Sequence, residues 1–114
     1  MSLMSELGLE ITVAETKQLL EEQADFHFLD CREQNEWDFV NIEGAELLPM
    51  SEIQERVAEL EPHKDRHIVI HCHHGGRSLQ VAQWLRNQGY DQAQSMAGGI
   101  DVWSQEIDGT KPRY

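Results

Sequence analysis

Short apolar runs alternate along the chain with stretches whose apolar residues recur at helical spacing. Residues 26–31 and 67–71 are compact, largely apolar runs between polar segments, and each predicts a buried strand. Residues 44–48 and 92–96 predict two shorter strands. The remaining segments predict helices at residues 12–22, 33–40, 51–61, 78–88 and 100–107.

Helix boundaries carry their own signals. Thr12 followed by Glu15, and Ser51 followed by Gln54, are interpreted as capping boxes that open the first and third helices. Pro62 predicts the end of the third helix, and Gly89 predicts the end of the fourth.

Strands separated by helices need crossover connections, so the order of elements predicts an α/β fold with a mostly parallel sheet and helices on both faces. A length of 114 residues corresponds to one domain. Residues 1–3 precede a second Met-Ser step at Met4 and are interpreted as an expression leader, which leaves residues 4–114 as the domain. Ligands bind such sheets beyond the carboxyl ends of the strands, which directs attention to residues 30–32, 49–51 and 72–78.

Composition and charge limit the classes of function that the chain can have. The net charge of −12 is uneven: residues 1–62 carry 16 acidic and 3 basic side chains, whereas residues 63–114 carry 5 and 6. This acidity argues against nucleic-acid binding, and no apolar run is long enough to predict a membrane span. Two cysteines are too few for a disulfide scaffold, so free thiols and a cytoplasmic location are expected.

The most informative segment follows the apolar strand at residues 67–71. Cys72 ends that strand, Gly75 and Gly76 allow a sharp turn, and a helix follows directly. Backbone amides and a helix N-terminus aimed at a sulfur stabilise its thiolate, and Arg77 adds a positive charge. We therefore interpret Cys72 as a nucleophile in an anion-binding loop.

Two other interpretations of this segment remain open. Cys72 could simply be a small buried residue, although packing alone does not require the glycines and the arginine that follow it. Consecutive donors at positions 71–74 could suggest a metal site, but alternate side chains of a strand diverge and no second ligand pair has suitable spacing. No metal and no cofactor are expected.

Four motifs stand out along the chain. They are Leu-Asp-Cys-Arg-Glu-Gln-Asn-Glu-Trp at residues 29–37, Asn-Ile-Glu-Gly-Ala with Pro49 at 41–49, Cys-His-His-Gly-Gly-Arg-Ser at 72–78, and Met-Ala-Gly-Gly-Ile-Asp-Val-Trp at 96–103. In this order they give the chain a resemblance to the rhodanese-like sulfurtransferase family. The end of the chain is similar to rhodanese domains fused to adenylating enzymes of molybdopterin and thiamine biosynthesis.

The resemblance implies a single rhodanese-like domain with five strands and a ping-pong reaction. Cys72 would take a sulfane sulfur from thiosulfate or a persulfide and pass it to a thiol, cyanide or a protein, with a sulfur-carrier or adenylating enzyme as a candidate partner. The loop that would bind the substrate anion comprises His73, His74, Gly75, Gly76, Arg77 and Ser78. Asp30 and Arg32 would support that loop.

The sequence also departs from the family pattern. Asn41 occupies a position where the family usually has histidine, and Cys31 replaces an apolar residue between Asp30 and Arg32. The strand order that the resemblance implies would place the ends of the Cys31 and Cys72 strands side by side, with Cys31 as a packing residue or as a resolving thiol.

Two alternative functions share this fold. One is a cysteine-dependent phosphatase, whose loop has five residues between cysteine and arginine; only four separate Cys72 from Arg77. The other is a catalytically weak binding or sensing module.

Overall fold

Five strands form the centre of the molecule in the computed structural model, which describes residues 7–114. The strands are β1 (Glu10–Ile11), β2 (Phe26–Asp30), β3 (Glu46–Leu47), β4 (His67–His71) and β5 (Ala93–Met96). They lie in the order β1-β5-β4-β2-β3, and every neighbouring pair is parallel. This confirms the predicted five-stranded α/β fold. The leader predicted at residues 1–3 lies outside the described residues.

Helices connect the strands. They are α1 (Val13–Glu21), α2 (Gln34–Phe39), α3 (Ile53–Arg56) with a 3-10 segment (Val57–His63), α4 (Gly76–Asn87) and α5 (Gly99–Glu106). The capping box predicted for α1 is confirmed: the Thr12 hydroxyl accepts from the Glu15 amide, and the Glu15 carboxylate accepts from the Thr12 amide, both at 3.0 Å. None of the helices in residues 7–114 is long and apolar enough to cross a membrane.

The single helix predicted for residues 51–61 is wrong. The Ser51 hydroxyl caps no helix; it donates instead to Glu33 Oε1 at 2.7 Å, on the segment before α2. Pro62 lies inside the 3-10 segment rather than after it. Proline has no amide hydrogen for an α-helical bond, and the residues around Pro62 form the tighter 3-10 winding.

Two apolar cores lie on opposite faces of the sheet. The first joins α3, the 3-10 segment and α4 to one face, and the second joins α1 and α5 to the other. Leu29 and Ile70 belong to the first core, whereas Phe28 and Val69 belong to the second, as expected for side chains that alternate along a strand. Complete burial of a side chain such as Ile70 contributes about 1.5–3 kcal/mol.

The edge strand β1 was not predicted from the residue pattern, because two residues carry too little periodicity to be recognised. It pairs with β5, with Glu10 opposite Ser95 and Ile11 opposite Met96. This edge pairing ties the start of α1 to the centre of the sheet.

Candidate active site

The loop between β4 and α4 turns at a glycine that cannot readily be replaced. Gly75 has a φ of +106°, and a Cβ at this position would lie 3.2 Å from the backbone nitrogen of Gly98. Both features favour glycine, which tolerates the left-handed region and close backbone contact. The turn brings the N-terminus of α4 against the end of β4, where Cys72 lies.

Hydrogen-bond donors surround the Cys72 sulfur. The amides of Gly75 and Ser78 donate to Sγ at 3.1 and 3.3 Å, and the Ser78 hydroxyl lies at 3.4 Å. A hydrogen bond from the Cys31 thiol, followed by those from Ser78 and Gly75, lowers the pKa of Cys72 to about 4, although burial acts in the opposite direction. Cys72 is therefore a thiolate at neutral pH.

The backbone donors to the resting sulfur come from two positions. Within the described residues, the amides that reach Sγ are those of Gly75 and Ser78. Because α4 begins at Gly76, its first turn includes Ser78 and presents a free amide at that position.

Ser95 is a site residue that the sequence did not reveal. Its hydroxyl lies 2.7 Å from the Ser78 hydroxyl, and both side chains are fully buried. Ser95 lies on β5, and only the pairing of β5 beside β4 brings it to the loop. The pair orients the Ser78 hydroxyl beside the sulfur.

The Gly98-Gly99 turn packs against the backbone of the loop between β4 and α4. The amides of Ile100 and Asp101 donate to the carbonyls of Cys72 and His73 at 2.9 and 3.1 Å. Gly99 has a φ of +60°, and a Cβ there would lie 2.4 Å from the Cys72 carbonyl oxygen. The N-terminus of α5 therefore fixes the backbone of the nucleophile, and the close approach requires glycine.

Arg77 does not contribute a free positive charge to the loop. Its guanidinium forms two hydrogen bonds to the carboxylate of Glu36, at 2.7 and 2.8 Å. These bonds, with smaller contributions from the Tyr114 hydroxyl and the Glu33 amide, lower the pKa of Glu36 to about 2. The role of Arg77 as an anion-attracting cation stays a prediction, and in the structure its pair with Glu36 joins α4 to α2.

Asp30 and Arg32 form a buried ion pair behind the loop. The guanidinium of Arg32 donates to both carboxylate oxygens of Asp30, at 2.7–3.1 Å, and to the Val40 carbonyl at 2.6 Å. Both side chains are completely buried. The pair links the end of β2 to the backbone at Val40, and its support of the loop stays a prediction. Asn41, at the departure from the family pattern, donates to the Trp37 carbonyl at 3.0 Å.

His71 lies on the opposite face of β4 from the nucleophile. It is fully buried against Phe28, with Nε2 3.6 Å from Asp30 Oδ2, and its ring nitrogens form no hydrogen bond within residues 7–114. Burial lowers the pKa of His71, so the imidazole is neutral.

The rings of His73, His74 and Tyr114 lie close to one another. The His73 ring stacks on Tyr114 with centroids 3.7 Å apart, and the Tyr114 hydroxyl donates to Glu36 at 2.7 Å. Ligand atoms of His73, His74 and Asp101 lie within 4.8 Å of one another, which is the spacing of a metal site. The Asp101 carboxylate is engaged by Arg113, however, at 2.8 and 3.3 Å.

A cysteine sulfur surrounded by backbone amides, at the carboxyl end of a parallel sheet, forms a site of the α/β class that is chemically suited to nucleophilic attack. Comparison with known proteins identifies the family. Residues 12–106 match the model of the Rhodanese-like domain, and the chain belongs to that family.

Individual relatives agree with the family match. The chain is 34% identical to thiosulfate sulfurtransferase GlpE of Pseudoalteromonas translucida over 82% of its own length and 86% of that protein. It is 31% identical to the probable adenylyltransferase/sulfurtransferase MoeZ of Mycobacterium tuberculosis, covering 88% of the chain but only 26% of MoeZ. The human single-domain sulfurtransferase TSTD1 superposes with a TM-score of 0.77 at 26% identity, covering 88% of this chain and 97% of that one.

Proposed function

We propose that the protein is a sulfurtransferase in which Cys72 carries the transferred sulfur. With thiosulfate as donor, the Cys72 thiolate attacks the outer sulfur, the S–S bond breaks and sulfite leaves with the electron pair. The product is a Cys72 persulfide. An acceptor thiolate or cyanide then attacks the terminal sulfur and regenerates the Cys72 thiolate.

The observation that carries this proposal is the loop itself. Four residues separate Cys72 from Arg77, and the amides of Gly75 and Ser78 converge on the sulfur. The resemblance to sulfurtransferases includes this loop length, whereas the phosphatases of the fold have one more residue. A small loop around a thiolate favours attack on sulfur.

The charges of the site favour a persulfide donor and a thiol or protein acceptor over rapid turnover of free thiosulfate. Arg77 is neutralised by Glu36, so the site offers backbone dipoles rather than free cations to a dianion. The net charge of −12 also repels small anions at low salt. Relatives named as an adenylyltransferase/sulfurtransferase and as a putative sulfur carrier protein make an adenylating or sulfur-carrier protein a candidate partner. A cytoplasmic location, where both thiols stay reduced, belongs to the same proposal.

Intact-mass spectrometry after treatment with thiosulfate tests the proposal. We expect an adduct about 32 Da heavier than the protein, the mass of one sulfur atom, in the wild type and none in Cys72→Ser. Hydrolysis of a chromogenic aryl phosphate that depends on Cys72, without a sulfur adduct, would instead establish a phosphatase. A protein that forms no adduct and releases no sulfide, with thiosulfate or with a low-molecular-weight persulfide, would be a binding module.

A further inference from the structure

Cys31 occupies the position beside the nucleophile on the neighbouring strand. β2 and β4 pair in parallel register from Phe26 opposite His67 to Asp30 opposite His71, so Cys31 and Cys72 form the next pair. The Cys31 amide donates to the His71 carbonyl at 3.0 Å, which continues the ladder past the end of β2. Registered residues on adjacent strands lie about 5 Å apart at Cα, inside the range of roughly 4.4–6.8 Å that disulfides span.

Both sulfurs also lie on the same face of the sheet. Cys31 and Cys72 belong to the core that faces α4, because each is two residues beyond a member of that core on its own strand. Cys31 is 0% exposed and Cys72 is 1% exposed, and both are free thiols. Burial separates Cys31 from reagents in solution, while Cys72 is a direct neighbour.

The state of Cys72 controls the reactivity of Cys31. Hydrogen bonding to the Cys72 thiolate, and then burial, raise the pKa of the Cys31 thiol, which keeps it protonated and unreactive. When Cys72 becomes a persulfide, the negative charge moves one atom outward to the terminal sulfur. The sulfur beside Cys31 is then neutral and electrophilic.

We propose that Cys31 is a resolving thiol that releases the stored sulfur as sulfide, an inference that rests on the proposed sulfur transfer. The Cys31 sulfur attacks Sγ of the Cys72 persulfide, and a Cys31–Cys72 disulfide forms as the bond to the terminal sulfur breaks. The electron pair leaves with the terminal sulfur, which takes up the proton of Cys31 and departs as hydrosulfide. Two cysteine sulfurs are oxidised and one sulfane sulfur is reduced, so the step needs no external oxidant.

The persulfide sulfur would therefore leave Cys72 by one of two reactions. An acceptor that reaches the persulfide promptly receives the sulfane sulfur directly. Without one, the protein produces hydrosulfide and stays in the disulfide form until a dithiol, the class of reductant required here, restores both thiols. Cys31 thus sets how long the persulfide persists.

The experiment loads the reduced protein with thiosulfate without oxygen, removes excess reagent, and follows intact mass and released sulfide without added thiol. In the wild type we expect the adduct of about 32 Da to convert to a species about 2 Da lighter than the reduced protein, with about one equivalent of sulfide. Peptide mapping should locate a Cys31–Cys72 disulfide. The rate should not depend on protein concentration, because the reaction is intramolecular.

Two variants separate the resolving role from hydrogen bonding. Cys31→Ser keeps a donor beside Cys72 but removes the sulfur nucleophile, whereas Cys31→Val removes both. In each variant we expect the adduct to form, more slowly in Cys31→Val because Cys72 loses a donor, and then to persist, with sulfide release at least tenfold slower than in the wild type. Formation of the adduct also shows that the variant is folded.

The outcomes distinguish this inference from the proposed function. Equal adduct lifetimes in the wild type and Cys31→Ser would overturn the resolving role and leave sulfur transfer intact. The absence of an adduct or sulfide in the wild type and both variants, with thiosulfate and with a low-molecular-weight persulfide as donor, would overturn the sulfur-transfer proposal itself. A light species without sulfide would indicate ordinary oxidation and count against the inference.

Discussion

Replacement of Glu36 by glutamine tests how the protein uses its loop arginine. The carboxylate of Glu36 accepts two hydrogen bonds from Arg77, one from the Tyr114 hydroxyl and one from the Glu33 amide, at 2.7–3.0 Å. Glu36→Gln keeps the size of the side chain and removes its charge. Arg77 then loses the partner that neutralises it.

The magnitude follows from the pKa of Glu36, whose side chain is 15% exposed. A pKa of about 2 in the fold, against 4.5 for a free glutamate, corresponds to an upper bound of about 3 kcal/mol. Because the folded pKa is the lower one, this stability is fully present above pH 4.5 and is lost as the pH falls towards 2. Glutamine retains part of the hydrogen bonding, so we expect a loss of about 2 kcal/mol at pH 7 and a fall in Tm of roughly 8 °C.

The same substitution should improve the binding of a small anion. A freed unit charge at the edge of the site contributes on the order of 1 kcal/mol, which is a roughly fivefold decrease in KM for thiosulfate. Glu36→Gln is therefore expected to be less stable and yet to bind thiosulfate more tightly. Lower stability together with a lower KM would show that Glu36 holds Arg77 in the wild type. An arginine that already bound thiosulfate would give no decrease in KM.

Thermal unfolding and steady-state kinetics with thiosulfate and cyanide measure both effects. Glu43→Gln is the matched control, because it makes the same charge change at a side chain that is 84% exposed and should alter stability by less than about 0.5 kcal/mol. If KM for thiosulfate is unchanged or higher in Glu36→Gln while Glu43→Gln behaves as the wild type, Glu36 does not keep Arg77 from binding the anion.

Three further predictions concern the loop. Gly99→Ala should lower the free energy of unfolding by about 2–4 kcal/mol in chemical denaturation, because its Cβ would lie 2.4 Å from the Cys72 carbonyl oxygen. Gly76→Ala is the control, since the space around its Cβ is open, and it should change the free energy of unfolding by less than about 1 kcal/mol. Equal losses in the two variants would contradict the steric argument. Ser78→Ala should raise the pKa of Cys72, seen as a shift of the thiolate absorbance titration to higher pH, and an unchanged titration would exclude a role for the hydroxyl. In the wild type, the alkylation rate of Cys72 should be nearly constant from pH 8 to 6 and fall towards pH 4, since the thiolate fraction sets the rate; a midpoint near 9 would show that the surrounding donors do not stabilise the thiolate.

The sequence predicted most of the fold because its signals are local. Apolar runs of strand length marked β2 and β4, and the paired residues Thr12 and Glu15 marked the start of α1. The two-residue strand β1 escaped detection, because its place in the sheet depends on pairing with β5. The capping box predicted at Ser51 is wrong because a contact distant in sequence overrides the local pattern. The Ser51 hydroxyl donates to Glu33, 18 residues away, instead of capping a helix.

In the candidate site too, some features follow from the local sequence and others depend on contacts between residues distant in sequence. The sequence alone indicated Cys72 as the nucleophile, because a strand, glycines and a helix that follow one another in the chain dictate amides around that sulfur. Tertiary structure decided what surrounds this local unit. It placed Ser95 behind Ser78 and paired Arg77 with Glu36. It also confirmed that Cys31 and Cys72 follow neighbouring strands, which the resemblance had implied. These contacts join residues that are 17 to 41 positions apart, and only the pairing of strands and the packing of helices bring such residues together.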